Sequence, residues 1–100
     1  MFAYRIVWED EANAREVEIF VDYTLQAGVV QVEAIRPTKV TLYDAARQQV
    51  ARVLDVWTET GRRVLTRAYL TSRDSLQTLA EEIRAEHNLR DEAFAVEAAL

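Results

Sequence analysis

Arg52, Arg62, Arg63, Arg67 and Arg73 crowd one stretch of the chain, interleaved with Trp57 and Tyr69 and preceded by Tyr43. A guanidinium pairs bidentately with carboxylate or phosphate and stacks on aromatic faces, so this mixture has two chemical uses. It pairs with acidic groups of another polypeptide, or it holds phosphates while bases stack on the rings. On a strand, Arg63, Arg67 and Tyr69 share one face and point together.

Charge decides between the two uses. The 100 residues hold 12 Lys+Arg against 17 Asp+Glu, a formal net charge of -5, and the pI is near 4.8. Nucleic-acid-binding domains are usually basic overall, and net charge governs non-specific affinity for phosphate. The total hides a pattern, however. Residues 1–35 carry two basic and seven acidic side chains, 36–73 carry eight and three, and 74–100 carry two and seven. The chain is acidic, basic, acidic. Such a layout complements itself, within one molecule or between copies, with Glu16, Glu18 and Asp22 as acidic counterparts of the basic middle. Exposed cross-strand pairs contribute roughly 0.2–1 kcal/mol each, so they set register and partner choice more than stability.

Other chemistry is scarce. The absence of Cys removes thiolate nucleophiles, thiolate metal sites and disulfides. With only Gly28 and Gly61, no Walker-type or dinucleotide-type phosphate loop can be written. Ser72 and Ser75 look like helix caps, and His87 stands more than two turns along the same helix, which defeats a Ser/His/Asp arrangement. Lys39 is the only lysine and lies in a strand-like setting, poorly suited to a Schiff base. His87 with Glu82, Glu86 and Asp91 offers one nitrogen ligand where catalytic zinc sites use two or three. A His near a helix C-terminus, favourably placed against the helix dipole, is the simpler expectation. Glu9-Asp10-Glu11 lacks the spacing and the glycine of a calcium loop and fits a solvated hairpin tip. Neither cofactor nor metal is expected.

These residues must be positioned by a small number of elements. Val17, Ile19, Val21, Tyr23 and Leu25 alternate with mostly polar neighbours, the two-residue period of a half-buried strand. Phe2, Tyr4, Ile6 and Trp8 share one face of a strand before it, and the short link Asp10–Ala14 predicts an antiparallel hairpin. Gly28 supplies the next turn, leading to a third strand over Val29–Ile35 that Pro37 interrupts, and a fourth over Lys39–Tyr43. The segment 44–60 supports helix or strand. Asp44 could cap a helix through Ala46, Val50, Val53, Leu54 and Trp57, but the β-branched and aromatic density of Val50–Thr58 favours strand. On that reading Ala45–Gln49 makes a short helical turn, Thr58-Glu59-Thr60-Gly61 is a hairpin turn and Arg62–Thr71 is the returning strand. Leu76, Leu79, Ala80 and Ile83 fall at helical spacing behind a Ser72 or Asp74 cap; Asn88 ends that helix and Asp91 begins a second, short one.

The expected fold is a single α+β domain over residues 1–100, an antiparallel meander of about six strands with C-terminal helices packed on one face. Trp8 and Trp57 are expected as core anchors; if the second sheet face is left uncovered, Phe20, Leu65 and Tyr69 are partly exposed there. No apolar run approaches the roughly 20 residues of a membrane span, and MFAYRIVWED lacks signal-peptide form, so a cytoplasmic location is expected. The expected function is that of a non-enzymatic protein-interaction or structural module, self-associating as a homo-oligomer. Its binding residues are Arg52, Arg63, Arg67 and Tyr69, paired with acidic groups on another chain. A nucleic-acid-binding module using the same residues is the alternative, and an acid–base or metal-dependent enzyme around His87 is a third.

Overall fold

A computed structural model describes residues 1–46, 49–72 and 76–99, with the backbone alone at 76, 77 and 90–99. Four strands form one antiparallel sheet in chain order: β1 (Phe2–Asp10), β2 (Arg15–Gln26), β3 (Val29–Tyr43) and β4 (Val50–Asp55). Two helices follow, α1 (Glu59–Thr71) and α2 (Leu76–Ala99). The alternation read from the sequence is realised on β2. Val17, Ile19 and Val21 have no exposed surface and Tyr23 has 1%. They meet Leu65 and Tyr69 of α1 and Leu79 and Ile83 of α2 in one apolar core, so both helices cover the same sheet face. The fold is α+β, as expected.

The strand count is four, not about six, for two physical reasons. First, Pro37 does not divide β3. Ile19 pairs with Pro37 while Glu18 pairs with Lys39, so Thr38 is an extra residue that the ladder absorbs as a bulge. The Thr38 hydroxyl bonds the Glu18 carboxylate at 2.9 Å. β4 pairs only with Lys39–Tyr43, so Pro37 lies past the end of that ladder, where a missing N–H leaves no strand unpaired.

Second, 59–71 is helix rather than a turn and a returning strand. Thr58 is its N-cap, its hydroxyl accepting from the Gly61 N–H at 3.0 Å. Leu65 and Tyr69, four residues apart, are both buried. Burial of that pair outweighs the strand propensity of Val64, Thr66 and Thr71. The segment 44–60 resolves as a strand over Val50–Asp55, with Ala45 and Ala46 in a turn; Arg47 and Gln48 of the expected helical turn lie outside the described residues.

The turn between β2 and β3 uses Ala27 and Gly28, both at positive φ (51° and 78°), which suits a two-residue hairpin. α2 runs through Asn88 and Asp91 without a break, so one helix replaces the two expected and His87 lies in its middle. Leu79, Ala80 and Ile83 pack as expected; the side chains of Leu76, Phe94 and Val96 lie outside the described residues, as does the Asp74 cap. The molecule measures 49 × 29 × 25 Å, with a radius of gyration of 15.9 Å. A compact chain of this length has about 13 Å. The shape is elongated, and its sheet has more edge and face than two helices cover. None of the described helices is long and apolar enough to cross a membrane.

Candidate functional site

Burial of Leu65 and Tyr69 fixes which side of α1 faces out. Glu59, Arg63 and Arg67 recur at four-residue spacing and so lie along one exposed side of the helix. Between this side of α1 and β3 runs a groove of about 590 Å³, where Arg36, Arg62, Arg63 and Arg67 meet Glu59, with Leu70 contributing apolar wall. Arg36 is already committed. Its guanidinium grips Asp22 through two bonds of 2.6 and 2.8 Å and lies 5.7 Å over the Phe20 ring. That grip holds the Asp22 carboxyl below its ordinary value and raises Arg36. Arg63 reaches Glu59 only at 3.5 Å, with both side chains mostly in water, a contact of little energetic weight. Among the described residues, Arg62 and Arg67 have no ion-pair partner.

The expected quartet is therefore split. Arg63 and Arg67 share the groove. Arg52 is exposed on β4 opposite Leu42, and it does not line that groove. Tyr69 is 1% exposed and meets Trp8 edge-on, with ring centroids 5.6 Å apart, so it is a core residue and offers no stacking platform at the surface. Leu65 is buried with it, and Phe20 is half-buried under Arg36 on the open sheet face.

That open face absorbs much of the acid–base complementarity visible in the sequence. Arg36 of the basic middle takes Asp22, while Arg5 bonds Glu18 at 3.0 Å. The Thr38 hydroxyl, then Arg5, lowers the Glu18 carboxyl. At the end of β1, burial pushes the Asp10 carboxyl up, but hydrogen bonds from Asn13 (2.9 Å) and Arg15 (2.8 Å) outweigh it and hold it low. Glu9-Asp10-Glu11 thus surrounds a structural ion pair at the hairpin connection.

His87 is occupied inside the fold. Its Nδ1 lies 3.0 Å from the Tyr23 hydroxyl, and its ring meets Phe2 edge-on at 4.8 Å. Among the described residues, no three His, Asp or Glu side chains converge as metal ligands do.

The sequence did not single out the β4 edge as a surface. All six residues of β4 are exposed, and Trp57 just beyond it is 81% exposed rather than a core anchor. Leu54, Trp57 and Val64 border an apolar groove of about 500 Å³ floored by Leu42 and Leu65. The available signal is the density of Val50, Val53, Leu54, Val56 and Trp57, which indicates a strand but not whether its apolar side chains are buried.

No protein-family model matches the chain, and no curated protein and no solved structure matches it either.

Proposed function

We propose that this chain is a small, non-enzymatic protein-interaction module of the cytoplasm that self-associates, and that Arg63 and Arg67 receive acidic groups of another polypeptide. The observation that carries the acidic-partner reading is the groove beside α1, where Arg62, Arg63 and Arg67 outnumber Glu59 and Arg36 is neutralised by Asp22. Carboxylates entering there meet guanidinium donors in forked geometry and an apolar wall from Leu70. Self-association is supported by the exposed apolar edge at β4 and Trp57, since large exposed patches mark interaction surfaces.

Phosphate would also suit those guanidiniums. Among the described residues, nevertheless, no aromatic side chain lines that groove: Tyr69 is buried and Trp57 borders the other groove. Bases have nothing to stack on there, which favours an acidic polypeptide over single-stranded nucleic acid.

The test is fluorescence anisotropy with a labelled glutamate-rich peptide and a labelled single-stranded oligonucleotide over a salt series. The peptide is expected to bind, and Arg63→Glu with Arg67→Glu to weaken it at least tenfold while leaving the fold intact by circular dichroism. Unchanged peptide binding in that double variant would overturn the assignment. Oligonucleotide binding stronger than peptide binding, falling linearly in log–log form with salt, would replace it with nucleic acid.

A further inference from the structure

We infer that the outer edge of β4 is the seam of a symmetric dimer, β4 pairing antiparallel with β4 of a second copy and centred on Val53. The inference rests on the self-association part of the proposed function and gives it a surface and a register.

The backbone supplies the first argument. Lys39 pairs with Asp55, and the Val56 N–H donates to the Thr38 carbonyl at 2.9 Å. In an antiparallel ladder this makes Lys39/Asp55 and Thr41/Val53 the wide, non-hydrogen-bonded pairs. Val53 and Asp55 therefore turn their N–H and C=O groups away from β3, presenting a row of donors and acceptors that another strand matches. Side chains agree with backbone. Val50 is 55% exposed, Val53 53% and Leu54 36%, so β4 carries apolar surface, and among the described residues no strand pairs with its outer edge.

A second copy is the occupant that symmetry favours. The other edge of the same sheet, β1, is separated from β4 by β2 and β3, so the sheet does not close on itself. Pairing β4 with β1 of another molecule is heterologous and leaves free edges at both ends, to be closed only by a larger ring or extended as a filament. Pairing β4 with itself closes after two.

Register follows from faces and charge. Opposed residues must lie on one face, which permits registers centred on a residue and forbids those centred between residues. Two such registers overlap nearly the whole strand. Centring on Arg52 sets two guanidiniums directly opposite, which is destabilising. Centring on Val53 opposes Val53 with Val53 and Arg52 with Leu54, with no like charges directly across; the regular ladder stops there, because Ala51 is the extra residue of a bulge opposite Leu42 and Tyr43. Arg52 then lays its aliphatic stem along Leu54 of the second copy.

The absence of Cys makes the register directly testable. Single variants Val53→Cys, Arg52→Cys and Leu54→Cys of the full chain are oxidised mildly and separated without reductant, alongside light scattering of the unmodified protein. Hydrogen-bonded antiparallel pairs hold Cα atoms about 5.5 Å apart, within disulfide range. Val53→Cys is expected to cross-link to a dimer. Arg52→Cys and Leu54→Cys are expected to stay monomeric alone and to cross-link when mixed. Val53→Pro, which removes an outward N–H without removing a hydrogen bond to β3, is expected to keep the circular dichroism spectrum and lose the dimer. A dimeric wild type whose Val53→Cys form does not cross-link overturns the β4 seam and leaves self-association standing. Cross-linking of Arg52→Cys or Leu54→Cys alone overturns the register. A wild type that remains monomeric at tens of micromolar overturns both, and if Val53→Pro fails to fold the cysteine set decides.

Discussion

β1 and β4 bound the same sheet, one on each side, and the helices cover them unequally. On β1 the inward residues Tyr4, Ile6 and Trp8 pack against the core, Trp8 meeting Tyr69 of α1 and Phe2 meeting His87 of α2. β1 pairs with β2 over its whole length, and its end is pinned by Asp10, Asn13 and Arg15. On β4 every residue is exposed, and Trp57 projects into water where Trp8 packs on Tyr69. Fixing a residue's backbone costs about 1–2 kcal/mol in entropy, and β4 recovers little of that through burial in the isolated molecule. One edge belongs to the core, whereas the other is held chiefly by its pairing with β3.

The two tryptophans give the largest contrast. Trp8→Ala is expected to destabilise the chain by about 3 kcal/mol, the lower part of the range for removing a packed Trp, because Trp8 is half-buried. Trp57→Ala is expected to change the dilute monomer by less than about 0.5 kcal/mol. Urea denaturation of both variants checks this, and equal losses would erase the distinction between the edges.

The pinned end of β1 comes next. Asp10→Ala leaves the partly buried Arg15 guanidinium and Asn13 amide without their acceptor, and about 1–3 kcal/mol of stability is expected to go. The same carboxyl contributes to acid sensitivity. Asp10, Asp22 and Glu18 titrate below their ordinary values of 3.8, 3.8 and 4.5 in the fold. Carboxyls lowered by folding contribute stability that is present in full above those ordinary values and is lost as pH falls through the folded ones. Urea midpoints are therefore expected to hold from neutrality to about pH 5 and to drop below about pH 4. Asp22→Asn should flatten part of that drop. A midpoint that rises on acidification would contradict the assigned pairs.

Smaller effects sharpen the picture around α1. Thr58→Ala removes the cap on Gly61 and is expected to lose about 1 kcal/mol. Val53→Ala is expected to leave monomer stability within about 0.5 kcal/mol while weakening association, because Val53 is 53% exposed and faces outward.

The meander was legible because β2 repeats every second residue, and one buried face enforces that period. Gly28 announced its own turn. What escaped was decided by contacts between distant residues. Thr58 and Gly61 serve a hairpin turn or a helix N-cap equally well, and the burial of Leu65 and Tyr69 among β1 and β2 side chains settles the choice. Pro37 looked like a strand end because the bulge at Thr38 and the shortness of β4 are properties of the assembled sheet. The candidate site suffered from the same ambiguity. Arg63 and Arg67 share a face by either period, four residues being two strand repeats and about one helical turn. Tyr69 shares that face only on a strand. On a helix it lies about 200° round from Arg67, and the core claims it. Residue type alone places Trp57 in the core, but it says only how much apolar surface a side chain carries, not whether the fold buries it.

The most direct test of the central claim is light scattering of the unmodified protein from one to one hundred micromolar. Self-association through β4 predicts a mass rising to twice the 11.5 kDa of the chain and stopping there. A mass fixed at 11.5 kDa throughout, or one that climbs without limit, would contradict it.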